Sequence, residues 1–219
     1  MSIARKALGL FMGLFLFTGT APVHAGFTYF SDRGAFDAAN PGTVLEDFED
    51  ATSNTVVSGP QDQFSDNAAF QPGDIIPNLR ITAVGTFPDE FFVNINSYGP
   101  TTVMTTNYGD DFARLDFYEA PITAFGVDLS SFGSSGDYTI RIYGTSGLFD
   151  TQVVSPSAFF GFTSTEGVTR VELQAPLYET FDNIAIGGQA VPEPSSVVML
   201  GLGGLGMLGY ARARRTRKA

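Results

Sequence analysis

The side chains that could do chemistry in this 219-residue sequence are almost all carboxylates. Between Gly26 and Ala190 there are 22 Asp and Glu against five Arg, a net of −17, with no Lys, His or Cys. The sole histidine of the chain is His24. Histidine-based triads, serine–lysine dyads, cysteine nucleophiles and histidine- or thiolate-bound zinc are therefore excluded from this stretch. Carboxylate pairs remain, and glycoside hydrolysis needs two of them about 5 Å apart for retention or about 6.5–9.5 Å for inversion. With 22 acids that criterion selects no pair. Asp110 and Asp111, in Asn107-Tyr108-Gly109-Asp110-Asp111, read equally well as a polar turn. The chain is expected not to be an enzyme.

Calcium is a better use of such acids, since it takes roughly six to eight oxygen ligands. The charge repels phosphate backbones, which excludes nucleic acid as a partner. Cations, neutral glycans and basic surfaces are left, and the charge also serves solubility. Glycan binding needs aromatic faces, and the chain has no Trp. Tyr98, Tyr108, Tyr118, Tyr138, Tyr143 and Tyr178 could serve. Tyr98 and Tyr108 flank a predicted hairpin near Asn94, Asn96 and Asn107, and are the candidate glycan contacts. Tyr138 and Tyr143 are five positions apart on one predicted strand, so they fall on opposite faces and at most one is exposed. The alternative for each tyrosine is packing at a core edge.

The elements that must position these groups are mostly strands. Ser31 to Asn40 reads as a short helix, with Ser31 as cap, Asp32 in the first turn and Asn40-Pro41-Gly42 as the stop. Strands are predicted at Thr43–Phe48, Leu79–Thr86, Phe91–Ile95, Thr101–Thr106, Phe112–Tyr118 and Ile122–Leu129. Others follow at Tyr138–Tyr143, Phe149–Val154, Ala158–Thr163, Val168–Leu173 and Phe181–Ile186. The polar stretch Ser58 to Gly73 reads as a long loop. Many short strands, regular turn signals and no internal repeat predict an all-β fold, an antiparallel β-sandwich of jelly-roll type.

The two ends have a different grammar. Arg5 and Lys6, the apolar run Ala7–Phe17 and small residues up to Ala25 make residues 1–25 a signal peptide, cleaved by signal peptidase between Ala25 and Gly26. Residues 26–190 form one acidic domain, large enough for a core and held without disulfides. From 191 to 219 come Pro192-Glu193-Pro194, an apolar segment over 197–210, and a basic tail over 211–219 with Arg212, Arg214, Arg215, Arg217 and Lys218. The segment is short for a membrane helix but can reach with snorkelling arginines. The basic cluster stays cytoplasmic, which places residues 26–190 outside the inner membrane.

This tripartite tail resembles the PEP-CTERM sorting signal of Gram-negative bacteria. The resemblance implies recognition by an exosortase, a membrane cysteine transpeptidase, with cleavage near Pro192-Glu193-Pro194. It also implies a transient membrane anchor, then a cell-surface or extracellular-matrix location and association with exopolysaccharide and biofilm. Ala158–Ser164, Val168–Leu173 and Phe181-Asp182-Asn183-Ile184 are similar to segments of many PEP-CTERM cargo domains. Resemblance to jelly-roll carbohydrate-binding modules further implies a structural calcium joining Glu46 or Asp47 to Asp182. The alternative is that Asp182 and Asn183 bond backbone N–H groups at a bulge or turn.

Overall fold

A computed structural model describes residues 26–85, 90–95, 101–107, 109, 111–131 and 136–189. The predicted signal peptide, the tail from 190 onward, Tyr98, Tyr108 and Asp110 lie outside the described residues. Among those described, no helix is long and apolar enough to cross a membrane.

The described chain forms one short helix and thirteen strands joined in a single antiparallel sheet. In order they are β1 (Phe27–Phe30), α1 (Arg33–Ala39), β2 (Val44–Glu46), β3 (Thr55–Ser58), β4 (Gln61–Asp62), β5 (Leu79–Val84) and β6 (Glu90–Ile95). They continue as β7 (Thr102–Thr106), β8 (Phe112–Phe117), β9 (Ile122–Ser131), β10 (Tyr138–Gly144), β11 (Gly147–Val154), β12 (Phe159–Gln174) and β13 (Glu179–Gln189). The all-β, antiparallel expectation holds, and the hydrogen bonds draw one curled half-barrel.

The strand that makes it one sheet is β12. Its first half pairs with β1 and β9, through Phe162 opposite both Tyr29 and Phe125. Its second half pairs with β10 and β8, through Val171 opposite both Ile142 and Leu115. Two strands were expected here, split at Ser164–Gly167. The ladder instead runs through, because the strand changes partners there without turning. The loop expected from Ser58 also contains β4, which pairs Gln61 with Ile81 and Asp62 with Arg80.

The helix cap is one residue later than expected. Asp32 has extended backbone and its Oδ1 accepts the Ala35 N–H at 2.8 Å. A carboxylate there satisfies an orphan amide and complements the helix dipole, so it displaces Ser31 from the role. Asn40 ends the helix, its Nδ2 donating to the Phe36 carbonyl at 2.8 Å.

Alternation in β8 and β10 sends Ala113, Leu115, Phe117, Tyr138, Ile140 and Ile142 inward. They meet Phe91, Met104, Phe125, Phe162, Leu173 and Phe181 in one core. Phe125 stacks on Phe162 with ring centres 5.6 Å apart, and Phe91 meets Phe181 edge-on at 6.2 Å. Burying each such side chain is worth roughly 1.5–3 kcal/mol, which is how a chain without cysteine holds together. A smaller cluster packs Phe36 with Phe30 and Phe159. It exists because Gly126 and Gly161 face each other across β9 and β12. A Cβ on Gly161 would come 2.8 Å from the Phe159 ring and 2.9 Å from Phe36.

Candidate functional site

The acids named from sequence fall into two separate settings. Glu46 ends β2, opposite Ile184 of β13, and is buried. Its Oε1 accepts the Phe48 N–H and its Oε2 the Ile76 N–H, both at 2.9 Å. Burial pushes its pKa up to about 7, with the charges of Asp47 and Asp50 adding to the rise and the two amides opposing it. Asp47 is exposed, and its Oδ1 accepts the Glu49 N–H at 3.2 Å.

Asp182 sits opposite Asp128 of β9, at a bulge that ends at Ala185 and holds Asn183 at φ +51°. Its carboxylate takes the Asn183 N–H at 2.6 Å and the Asn183 Nδ2 at 3.2 Å. Burial raises its pKa to about 6, with Asp128 and Glu49 adding to the rise against the bonds from Asn183 and Thr101. Arg33 covers the pair. Its Nη2 lies 3.1 Å from Asp128 Oδ2 and 2.5 Å from the Asn183 carbonyl, and its guanidinium sits 4.7 Å above the Phe159 ring.

Glu46 and Asp182 thus share strand β13 as a neighbour but stand among different acids. Among the described residues no group of three or more acids is arranged to hold a metal ion. Each Glu46 oxygen accepts one backbone amide and keeps its second lone pair. The bulge geometry at Asp182 and Asn183 is the hydrogen-bonded alternative raised from sequence.

The tyrosines divide as their spacing requires. Tyr138 is fully buried, its hydroxyl donating to the Ser130 carbonyl and accepting the Thr180 N–H at 2.9 Å, with the Thr180 carbonyl 3.0 Å away. Tyr143 is on the opposite face, half-buried, donating to Glu172 Oε2 at 2.8 Å. Tyr118 is half-buried beneath the Arg80 guanidinium, 4.7 Å from its ring centre.

The aromatic group best placed to meet a ligand is one that the sequence reading passed over. Tyr29 is 38% exposed and lines a cleft of about 420 Å³. Strand β1 pairs only with β12, and β11 only with β10, so the gap between them is spanned by side chains. Phe159 and Phe160 line the cleft on the β12 side, and Gln152 and Val153 on the β11 side. The Tyr29 ring stacks on Phe27 at 5.7 Å and leans on Phe160 at 5.9 Å. Its hydroxyl donates to Asp150, which also accepts Gln152 Nε2 at 2.8 Å and the Thr151 N–H at 2.7 Å.

Burial, then the bond to Asp150 and its charge, drives the Tyr29 pKa far above its ordinary value, so the phenol stays neutral. Burial works to raise the Asp150 carboxyl, but the bonds from Tyr29, Gln152 and Thr151 outweigh it and hold it below its ordinary value. The result is an aromatic face beside a fixed carboxylate and an amide. That combination suits the CH face and hydroxyls of a sugar. No carboxylate pair is among the residues lining the cleft. The signal was available in Phe27-Thr28-Tyr29-Phe30, where period-two alternation puts Tyr29 beside Phe27.

Comparison with known proteins bears on the ends of the chain more than on this cleft. Residues 190–218 match the family model described as the PEP-CTERM protein-sorting motif. No curated protein matches the sequence. Among solved structures, the enzymatically active domain of bacteriophage CBA120 tailspike protein 4 aligns with 50% of this chain and 18% of its own, at 14% identity. Its TM-score is 0.22, too low to argue for a shared fold or activity. The sorting motif implies an exported chain processed by an exosortase. On the match over residues 190–218, this is a PEP-CTERM motif-containing protein.

Proposed function

We propose that residues 26–190 are the cargo of that motif: a cell-surface or extracellular-matrix protein with a non-catalytic role in exopolysaccharide and biofilm association or adhesion. The observation that carries this is the sorting motif following directly on a folded sheet whose described part ends at Gln189. The chemistry of the domain supports it, because the only functional groups on offer are carboxylates, arginines, hydroxyls and amides. Signal peptidase and exosortase are the processing partners in this reading, with the inner membrane as a transient anchor. The curled sheet is read as a jelly-roll-type sandwich whose two halves share β12.

The Tyr29 cleft favours a second reading, a carbohydrate-binding module. A structural calcium in that reading would join Glu46 or Asp47 to Asp182, Glu46 through the lone pairs that its two amides leave open. The test is retention of the full chain, in mild detergent, on the host's exopolysaccharide, with calcium and with chelator. Saturable retention in either condition is expected. Retention abolished by Tyr29→Ala moves the cleft reading ahead, and no retention in either condition sinks both polymer readings.

A further inference from the structure

We infer that the outer face of strands β10, β12, β8 and β5 is a binding surface for a carboxylated polysaccharide, a polyuronate, received by the guanidinium ends of Arg114 and Arg170. This deepens the polymer-association reading and rests on it for the nature of the partner.

The placement comes directly from the register. Of the five arginines between Gly26 and Ala190, four lie on this face. Each of four consecutive hydrogen-bonded strands carries one: Arg141 on β10, Arg170 on β12, Arg114 on β8 and Arg80 on β5. One row across the strands reads Tyr143, Arg170, Asp116, Arg80, Asp62. The next reads Arg141, Glu172, Arg114, Thr82. The arginines therefore zigzag across the face at the strand spacing of about 4.8 Å, roughly the length of one pyranose unit in a linear polymer.

Asp116 organises the centre. Arg114 donates its Nε to Asp116 Oδ2 and Arg170 its Nε to Asp116 Oδ1, both at 2.8 Å. Pairs that served only to neutralise charge would gain more from two parallel bonds through the terminal nitrogens. Here the inner nitrogen is used, and among the described residues the Nη ends of Arg114 make no hydrogen bond. The corresponding end of Arg170 lies 3.8 Å from Glu172 Oε1. Both side chains are about a third or more exposed, at 32% and 40%. Two such forks held by one carboxylate match the planar geometry of a ligand carboxylate.

The surroundings fit the same partner. The two rows hold four guanidiniums against Asp62, Asp116 and Glu172, with Glu119 at the rim bonded to Gln63. Four guanidiniums against four carboxylates make this a charge-balanced face on a domain that carries −17 overall, so a polyanion meets less repulsion here than the net charge implies. At physiological ionic strength the screening length is about 8 Å, so acids on other faces contribute little to a polymer in contact. Tyr143 and Tyr118 flank the arginines, their rings 5.6 Å from Arg170 and 4.7 Å from Arg80, and offer apolar faces at both margins.

The experiment is affinity electrophoresis of the full chain in mild detergent, through gels containing polygalacturonate or, as the neutral control, dextran. The wild type should be retarded by polygalacturonate, progressively less as salt rises, and not by dextran. Arg114→Gln with Arg170→Gln should weaken retardation about tenfold, with thermal melting confirming that the variant is folded. Asp116→Asn is the sharper arm. A simple charge effect makes it bind more tightly, because a negative charge is lost; positioning of the forks makes it bind more weakly. Tighter binding by Asp116→Asn, unchanged binding by the double variant, or equal retardation by dextran overturns the inference. Each of those outcomes leaves retention on host exopolysaccharide, measured separately, to decide the broader reading.

Discussion

Replacing Glu179 by Gln should flatten the pH dependence of stability. Glu179 is fully buried, its Oε2 accepting the Thr106 hydroxyl and its Oε1 the Ala175 N–H, both at 2.6 Å. Burial, reinforced by the Asp111 charge and opposed by those bonds, pushes its pKa from 4.5 up to about 7. Between these values the folded chain keeps a proton that the unfolded chain has lost. Stability is then fully present below about 4.5, falls as pH rises through the window, and levels off above about 7. At about 1.4 kcal/mol per pKa unit, the loss between pH 5 and pH 8 is of order 2–3 kcal/mol. Glutamine keeps an acceptor for Ala175 and a polar group for Thr106 while removing the titration. Urea midpoints of wild type and Glu179→Gln should therefore nearly coincide at pH 5 and separate at pH 8, with the variant the more stable. Parallel midpoints across that range would show that the carboxyl does not hold its proton on folding.

Tyr138→Phe keeps the ring but leaves the Thr180 N–H without its hydroxyl partner in the core; a loss of about 1–3 kcal/mol by urea unfolding is expected. Gly161→Ala puts a methyl 2.8 Å from the Phe159 ring and 2.9 Å from Phe36; overpacking of this kind costs about 1–3 kcal/mol, read as a lowered Tm. Because no group of three or more acids among the described residues is arranged to hold a metal ion, moving from chelator to excess calcium should leave Tm unchanged. A calcium-dependent rise would instead favour the carbohydrate-module reading with its structural metal.

What was legible in the sequence was whatever repeats at period two. Phe112-Ala113-Arg114-Leu115-Asp116-Phe117 and Tyr138–Tyr143 alternate cleanly, and β8 and β10 follow them. The same alternation placed Tyr138 and Tyr143 on opposite faces. Continuity was not legible: Ser164 and Gly167 look like punctuation, yet β12 runs through them because its partners change on both sides. Cross-strand register was not legible either. Nothing local to Arg114 or Arg170 says that they share Asp116, since that depends on β8 lying beside β12, residues far apart in sequence. Tyr29 escaped for a related reason. The alternation of Phe27 and Tyr29 is visible, but the ring gains its role only when β1 comes to lie near β11.

The position of β13 ties the fold to the sorting motif. It pairs with β9 along most of its length, and also with β7 and β2, so the last described strand lies inside the sheet and not at its edge. Its register with β2 sets Ile184 opposite Glu46 and joins early chain to late chain, the job a disulfide would do in other exported proteins. Gln189 ends the strand and Pro192 is three residues on, at most roughly 11 Å of extended chain. Until β13 arrives, β9 and β7 lack the strand between them, and Phe181, which meets Phe48 and Phe91, is missing from the core. The sheet therefore cannot close without its C-terminal strand, and the Pro-Glu-Pro motif follows that strand within a few residues.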